Sequence, residues 1–122
     1  MVRPTQEIRA RIEQNLIDSR QARKLEDFDR CWTLLEDAHV LSQPWAMLHV
    51  RVHGSMLVAA IAQRDVREVR GQLSRIAVAG PGSFSGRYPT GNTGRARVPA
   101  IKPMPIRLDL AMMLEQAGQR TK

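Results

Sequence analysis

Apolar residues recur at helical spacing along the first two thirds of the chain, and the polar residues between them divide it into four segments. Ile8, Ile12 and Leu16, with Ile17 beside it, form an i, i+4 stripe behind Pro4, a residue welcome in a first helical turn. A helix over about residues 5–24 is expected. Asp27 is a natural N-cap for a second helix over 27–41, whose Phe28, Cys31, Trp32, Leu35, Ala38 and His39 share one arc. Ser42-Gln43-Pro44 breaks it, because proline disfavours helical geometry in the residue before it.

The third segment, 44–62, is apolar round most of its circumference, with only a strip near Arg51 polar enough to reach water, so it is expected at the centre of the fold, buried nearly all round. Asp65 caps a fourth helix, 65–78, with the apolar line Val66, Val69, Leu73, Ile76 and Ala77. From 80 to 107 the glycines and prolines exclude a regular helix and predict a long loop, and 108–117 reads as a short last helix carrying Leu110, Met112, Met113 and Leu114. Shifting the chain by 38 residues lays Asp27, Phe28, Cys31, Leu35 and Ala38 over Asp65, Val66, Val69, Leu73 and Ile76. That weak repeat resembles the helix pairs of tetratricopeptide-like arrays. The expected fold is all-α: antiparallel helical hairpins, tetratricopeptide-like, with a long Gly/Pro-rich loop before a short C-terminal helix.

With 122 residues, 43% of them hydrophobic, the chain suits a single domain over 1–122. Its longest apolar run, Met56 to Ala62, is far short of a membrane span, and Arg3 to Glu7 offers no apolar signal core. One cysteine, Cys31, precludes an internal disulfide and fits a reducing, cytoplasmic setting. The net charge of +7 is uneven. Residues 1–42 hold seven Lys/Arg against eight Asp/Glu, and 43–122 hold twelve against four. Arg64, Arg67 and Arg70 on the fourth helix, with Arg95 and Arg97 on the loop, form a candidate basic surface for an acidic protein partner or for nucleic acid. The same arginines also read as an ordinary solvated face. Phe84 and Tyr88 are the only aromatics nearby, which argues against a single-strand binder.

Three histidines carry the sharpest chemistry. In an antiparallel hairpin turning near Gln43, residues equidistant from the turn face each other. His39 is therefore expected near His49, with His53 one turn further along the same face. Imidazoles converging from two helices suit one transition-metal ion: zinc, iron, copper, cobalt or nickel. Glu36, one turn before His39, is placed as a fourth ligand or as support behind one. Buried histidines can instead be satisfied by a carbonyl, by Glu36 or by one another.

Leu35-Glu36 with Ala38-His39, His49-Val50-Arg51-Val52-His53, Arg64-Asp65 with Arg67-Glu68-Val69, and Gly91-Asn92-Thr93-Gly94 with Pro103-Met104-Pro105-Ile106 together resemble a family of short bacterial proteins described only as a domain of unknown function. The resemblance covers about residues 20–115. It implies a bacterial, cytoplasmic protein whose histidines and glycine-proline loop form one functional surface, and it brings no activity or cofactor.

Three readings follow. The leading one is a small soluble protein holding one transition-metal ion for metal handling or sensing; no separate acid, base or nucleophile stands out, which favours binding over catalysis. The second is a helical protein-interaction module with structural histidines and a basic surface. The third is nucleic-acid binding through the basic second half. Oligomeric state stays open.

Overall fold

The structure, a computed structural model, describes residues 3–121. Side-chain caps start three of its helices. Thr5 accepts from the Ile8 N–H ahead of α1 (Gln6–Lys24), Asp27 from the Arg30 N–H ahead of α2 (Phe28–Ser42), and Asp65 from the Glu68 N–H ahead of α4 (Val66–Phe84). Such a cap contributes about 1 kcal/mol. α3 (Ala46–Gln63) begins without one, directly after the Pro44 break, and α5 (Leu108–Gln116) completes an all-α fold with no strand among the described residues. Among the described residues, no helix is long and apolar enough to cross a membrane.

α1 packs on α2, α2 on α3 and α3 on α4, and α5 lies against α1 and α2. The apolar core is drawn from α1, α2, α3 and α5: Ile8, Ile12, Leu16, Leu35, Leu41, Val52, Met56, Leu110 and Leu114 are all buried. Each such side chain contributes about 1.5–3 kcal/mol relative to an exposed one. α3 is less enclosed than its composition predicts. Met47, Val58 and Ile61 reach solvent along the same strip as Arg51, because α1, α2 and α4 leave that side uncovered.

The larger correction concerns α4. It continues to Phe84 rather than stopping at 78, so the irregular segment begins at Ser85, not at 80. Pro81 lacks one backbone N–H but does not end the helix, because the last turn is held from outside, Ser83 donating to the Gln43 carbonyl at 2.5 Å. Its expected apolar line is not its buried face: Val66 and Leu73 are exposed, while Glu68, Gln72, Ala79 and Ser83 are buried. The 38-residue repeat therefore holds only in part at burial: Cys31 and Leu35 lie in the core, while of their counterparts Val69 packs half-buried against it and Leu73 is exposed. α4 turns polar groups inward because what it meets there is polar.

The segment 85–107 is tied down at several points. The Gln43 side chain donates to the Pro89 carbonyl and accepts from the Gly91 N–H, and Arg120 donates to the carbonyls of Gly86 and Tyr88. Gly91, at φ +80°, lies so close to the Met104 carbonyl that a Cβ would sit 2.0 Å from its oxygen. No other residue fits there.

Candidate metal centre

His39 comes from the last turns of α2, and His49 and His53 from successive turns of α3, on opposite sides of the turn at Gln43. Their side chains meet. The Nε2 atoms of His39 and His49 are 3.0 Å apart, those of His39 and His53 3.1 Å, and those of His49 and His53 3.2 Å. All three rings are buried, at 3%, 6% and 2% relative exposure.

The other nitrogen of each ring is held by an acceptor, and this settles where the protons are. His39 Nδ1 lies 2.7 Å from the Asn92 carbonyl oxygen, which can only accept. His53 Nδ1 lies 2.6 Å from Gln72 Oε1, and the orientation of that amide is fixed because its Nε2 donates to Glu68 and to the Gly94 carbonyl, each at 2.8 Å. His49 Nδ1 lies 2.6 Å from Ser83 Oγ, whose own proton goes to the Gln43 carbonyl. Each neutral imidazole thus spends its one N–H outward. Three Nε2 lone pairs remain, directed at one another with no proton between them.

Protonating a ring would relieve that repulsion, but the surroundings oppose it. Burial, then the charges that His53 and His49 would carry, hold His39 well below the usual histidine range, against the Asn92 carbonyl. Burial, then His53, pushes His49 down to about 3. Burial also lowers His53, against its bond to Gln72. No carboxylate of the described residues hydrogen-bonds any of the rings. A cation suits the arrangement better: a triangle with these sides has a point about 2.0–2.1 Å from all three corners, roughly 1 Å out of its plane, the length of a zinc–imidazole bond. The three histidines can hold a metal ion.

Of the other expected site residues, Glu36 is not in this group. Its carboxylate lies 3.7 Å from the Arg95 guanidinium, and burial raises its pKa more than Arg95 lowers it. Arg95 is not a surface cation either. Its Nε donates to Glu68 Oε1 at 2.6 Å, and the guanidinium stacks 3.7 Å from the centre of the Trp32 ring. Arg97 faces Asp65 at 3.4 Å. Arg64, Arg67 and Arg70 are exposed, so the proposed basic surface divides into three solvated residues and two engaged ones.

Gln72 and Ser83 orient the rings without any sequence signal, and Asn92, from the Gly91-Asn92-Thr93-Gly94 stretch, does so with them. Gly94 joins them: at φ +83° it packs on His39, and a Cβ there would lie 2.6 Å from the ring. Asn92 and Gly94 have a sequence signal, since Gly91-Asn92-Thr93-Gly94 sits in the stretch whose composition marks it as special; Gln72 and Ser83 read as ordinary polar helix positions. A cavity of about 460 Å³ opens on the three rings, walled by Val78, Ala79, Pro81 and Pro89 with Arg75 among them.

The class of protein this defines is a small helical bundle with a buried, outwardly braced triple-imidazole site. The chain belongs to a family of proteins of unknown function (DUF3703), whose model matches residues 6–114. No curated protein and no solved structure matches it.

Proposed function

We propose that the protein binds one transition-metal ion, zinc, iron, copper, cobalt or nickel, through Nε2 of His39, His49 and His53, and serves metal handling or sensing. One observation carries this: each ring has its Nδ1–H committed to a fixed acceptor, which leaves three convergent lone pairs in a site where burial disfavours a proton. Bracing of this kind sets ligand orientation and basicity in metal sites. The packing of α1 on α2, α2 on α3 and α3 on α4 supports a tetratricopeptide-like reading of the stack, and the single buried cysteine supports a reducing, cytoplasmic setting. Glu36, engaged with Arg95, is left out of the ligand set.

The test is elemental analysis of the purified protein, followed by thermal melts after chelation and after adding each of the five metals. A metal held only by the folded state raises Tm, and at a hundredfold excess over Kd it stabilises by about 2.7 kcal/mol. The expected result is one equivalent bound and a rise lost in His53→Ala. Melts indifferent to all five metals would end the proposal.

A further inference from the structure

Arg75 stands in the wall of the cavity that opens on the three histidines. It is half-buried on α4, its Nη2 donates to the Val98 carbonyl at 2.8 Å, and no carboxylate of the described residues lies within ion-pair distance of it. Half-buried Arg95 is treated differently, being matched by buried Glu68. The cavity wall is mostly apolar, with Arg87, Gln43, Ser85 and Asn92 as its other polar members, and Val78 and Ile101 remain 61% and 86% exposed beside it.

We infer that the cavity is a binding site for a short aliphatic carboxylate, its oxygens shared between the metal's open position and the Arg75 guanidinium, and its chain laid against Val78 and Ile101. This rests on the metal reading above. A divalent ion on three neutral imidazoles carries its full charge, and Arg75 adds another in the same low-dielectric space, while the nearest acid, Glu68, is already matched by Arg95. An anionic ligand offsets both. Three protein ligands leave the fourth coordination position for such a ligand, as in zinc sites that take water or substrate there. The guanidinium offers charge-assisted N–H bonds to the carboxylate oxygen that the metal leaves free. The apolar walls select a carbon chain over a phosphate, which would have unsatisfied oxygens against them.

The proposal is tested on the full chain loaded with cobalt(II), whose visible absorption reports its coordination. Acetate, butanoate, butanamide and inorganic phosphate are titrated into the native protein and into Arg75→Met. Butanoate is expected to shift the cobalt bands saturably and to bind more tightly than acetate by about fourfold for each buried methylene. Arg75→Met is expected to load cobalt normally and to bind butanoate ten- to a hundredfold more weakly, roughly what one charge-assisted hydrogen-bonded pair contributes. Neutral butanamide and phosphate are expected to leave the native spectrum unchanged, a comparison that needs no variant to fold. The carboxylate site is overturned if cobalt loads but butanoate leaves its bands unmoved, if butanamide or phosphate matches butanoate, or if Arg75→Met binds butanoate as the native protein does. Failure of cobalt, zinc, iron, copper and nickel alike to load is a separate observable, and it ends the metal reading and this one together.

Discussion

Gln72 accepts from His53 Nδ1 at 2.6 Å while its own amide nitrogen is spent on Glu68 and on the Gly94 carbonyl, so the imidazole cannot exchange its tautomer without breaking two other bonds. Gln72 touches no proposed metal position, yet it decides which nitrogen of His53 is free. Gln72→Leu keeps the approximate volume and removes that choice. It is expected to weaken metal binding by about 10- to 100-fold, the usual consequence of losing such an outer partner. Competition against a chromogenic chelator measures this, and an unchanged affinity would mean that His53 needs no brace.

Gly94→Ala tests the loop's seat on the site. Alanine at φ +83° costs about 1–2 kcal/mol on backbone grounds. The new methyl would also press into the His39 ring, and overpacking adds about 1–3 kcal/mol. The expected outcome is a lower urea midpoint together with weaker metal binding, because the backbone that must move carries the Gly94 carbonyl on Gln72 and adjoins the Asn92 carbonyl on His39. The same substitution at Gly118, also at positive φ but with open space around its Cβ, costs only the backbone part.

The metal-free protein is expected to lose stability as acidity rises. All three histidines titrate lower in the folded state than in the unfolded chain, so unfolding takes up protons once the pH falls below the ordinary histidine value of about 6.5. Their contribution is complete above that value and is lost progressively on the way down, for His49 until about pH 3. The slope approaches about 1.4 kcal/mol per pH unit for each histidine that takes up a proton. Urea melts of chelated protein between pH 8 and pH 4, compared with His49→Gln, check it; the variant is expected to show the shallower decline.

How much of this is legible in the sequence depends on distance along the chain. The histidines could be brought together on paper because both helices share a turn: His39 and His49 lie on either side of Gln43, and His53 follows one helical turn later. Caps at Asp27 and Asp65 are equally local, and both hold. What failed is α4, where the apolar spacing suggested a core face: Val69 packs on the core, but Val66 and Leu73 are exposed. Inside, α4 meets imidazoles and the Arg95–Glu68 pair, so Gln72 and Ser83 go inward and Leu73 goes out. Hydrophobic periodicity reports an apolar neighbour and carries no information about a polar one. Pro81 misled in the same way: its missing N–H is a local cost, and the Ser83 contacts that outweigh it come from Gln43 and His49, far away in sequence.

Arg95 offers the sharpest separation between a basic surface and an internal tie. Glu68 is buried to 1% and accepts from Arg95 Nε, from the Ala96 N–H and from Gln72. Removing the cation from such a pair leaves an uncompensated buried charge, at about 3–5 kcal/mol. Arg95→Met is therefore expected to lower the unfolding free energy by that order, with further loss from the Trp32 face that it covers. Arg97→Met breaks an exposed contact with Asp65 and is expected to cost less than about 1 kcal/mol. Double-stranded DNA retention across a salt series completes the comparison. If Arg95 served a polyanion, its loss would flatten the salt dependence while sparing stability; the tie to Glu68 predicts the reverse, a damaged fold and an unaltered salt slope.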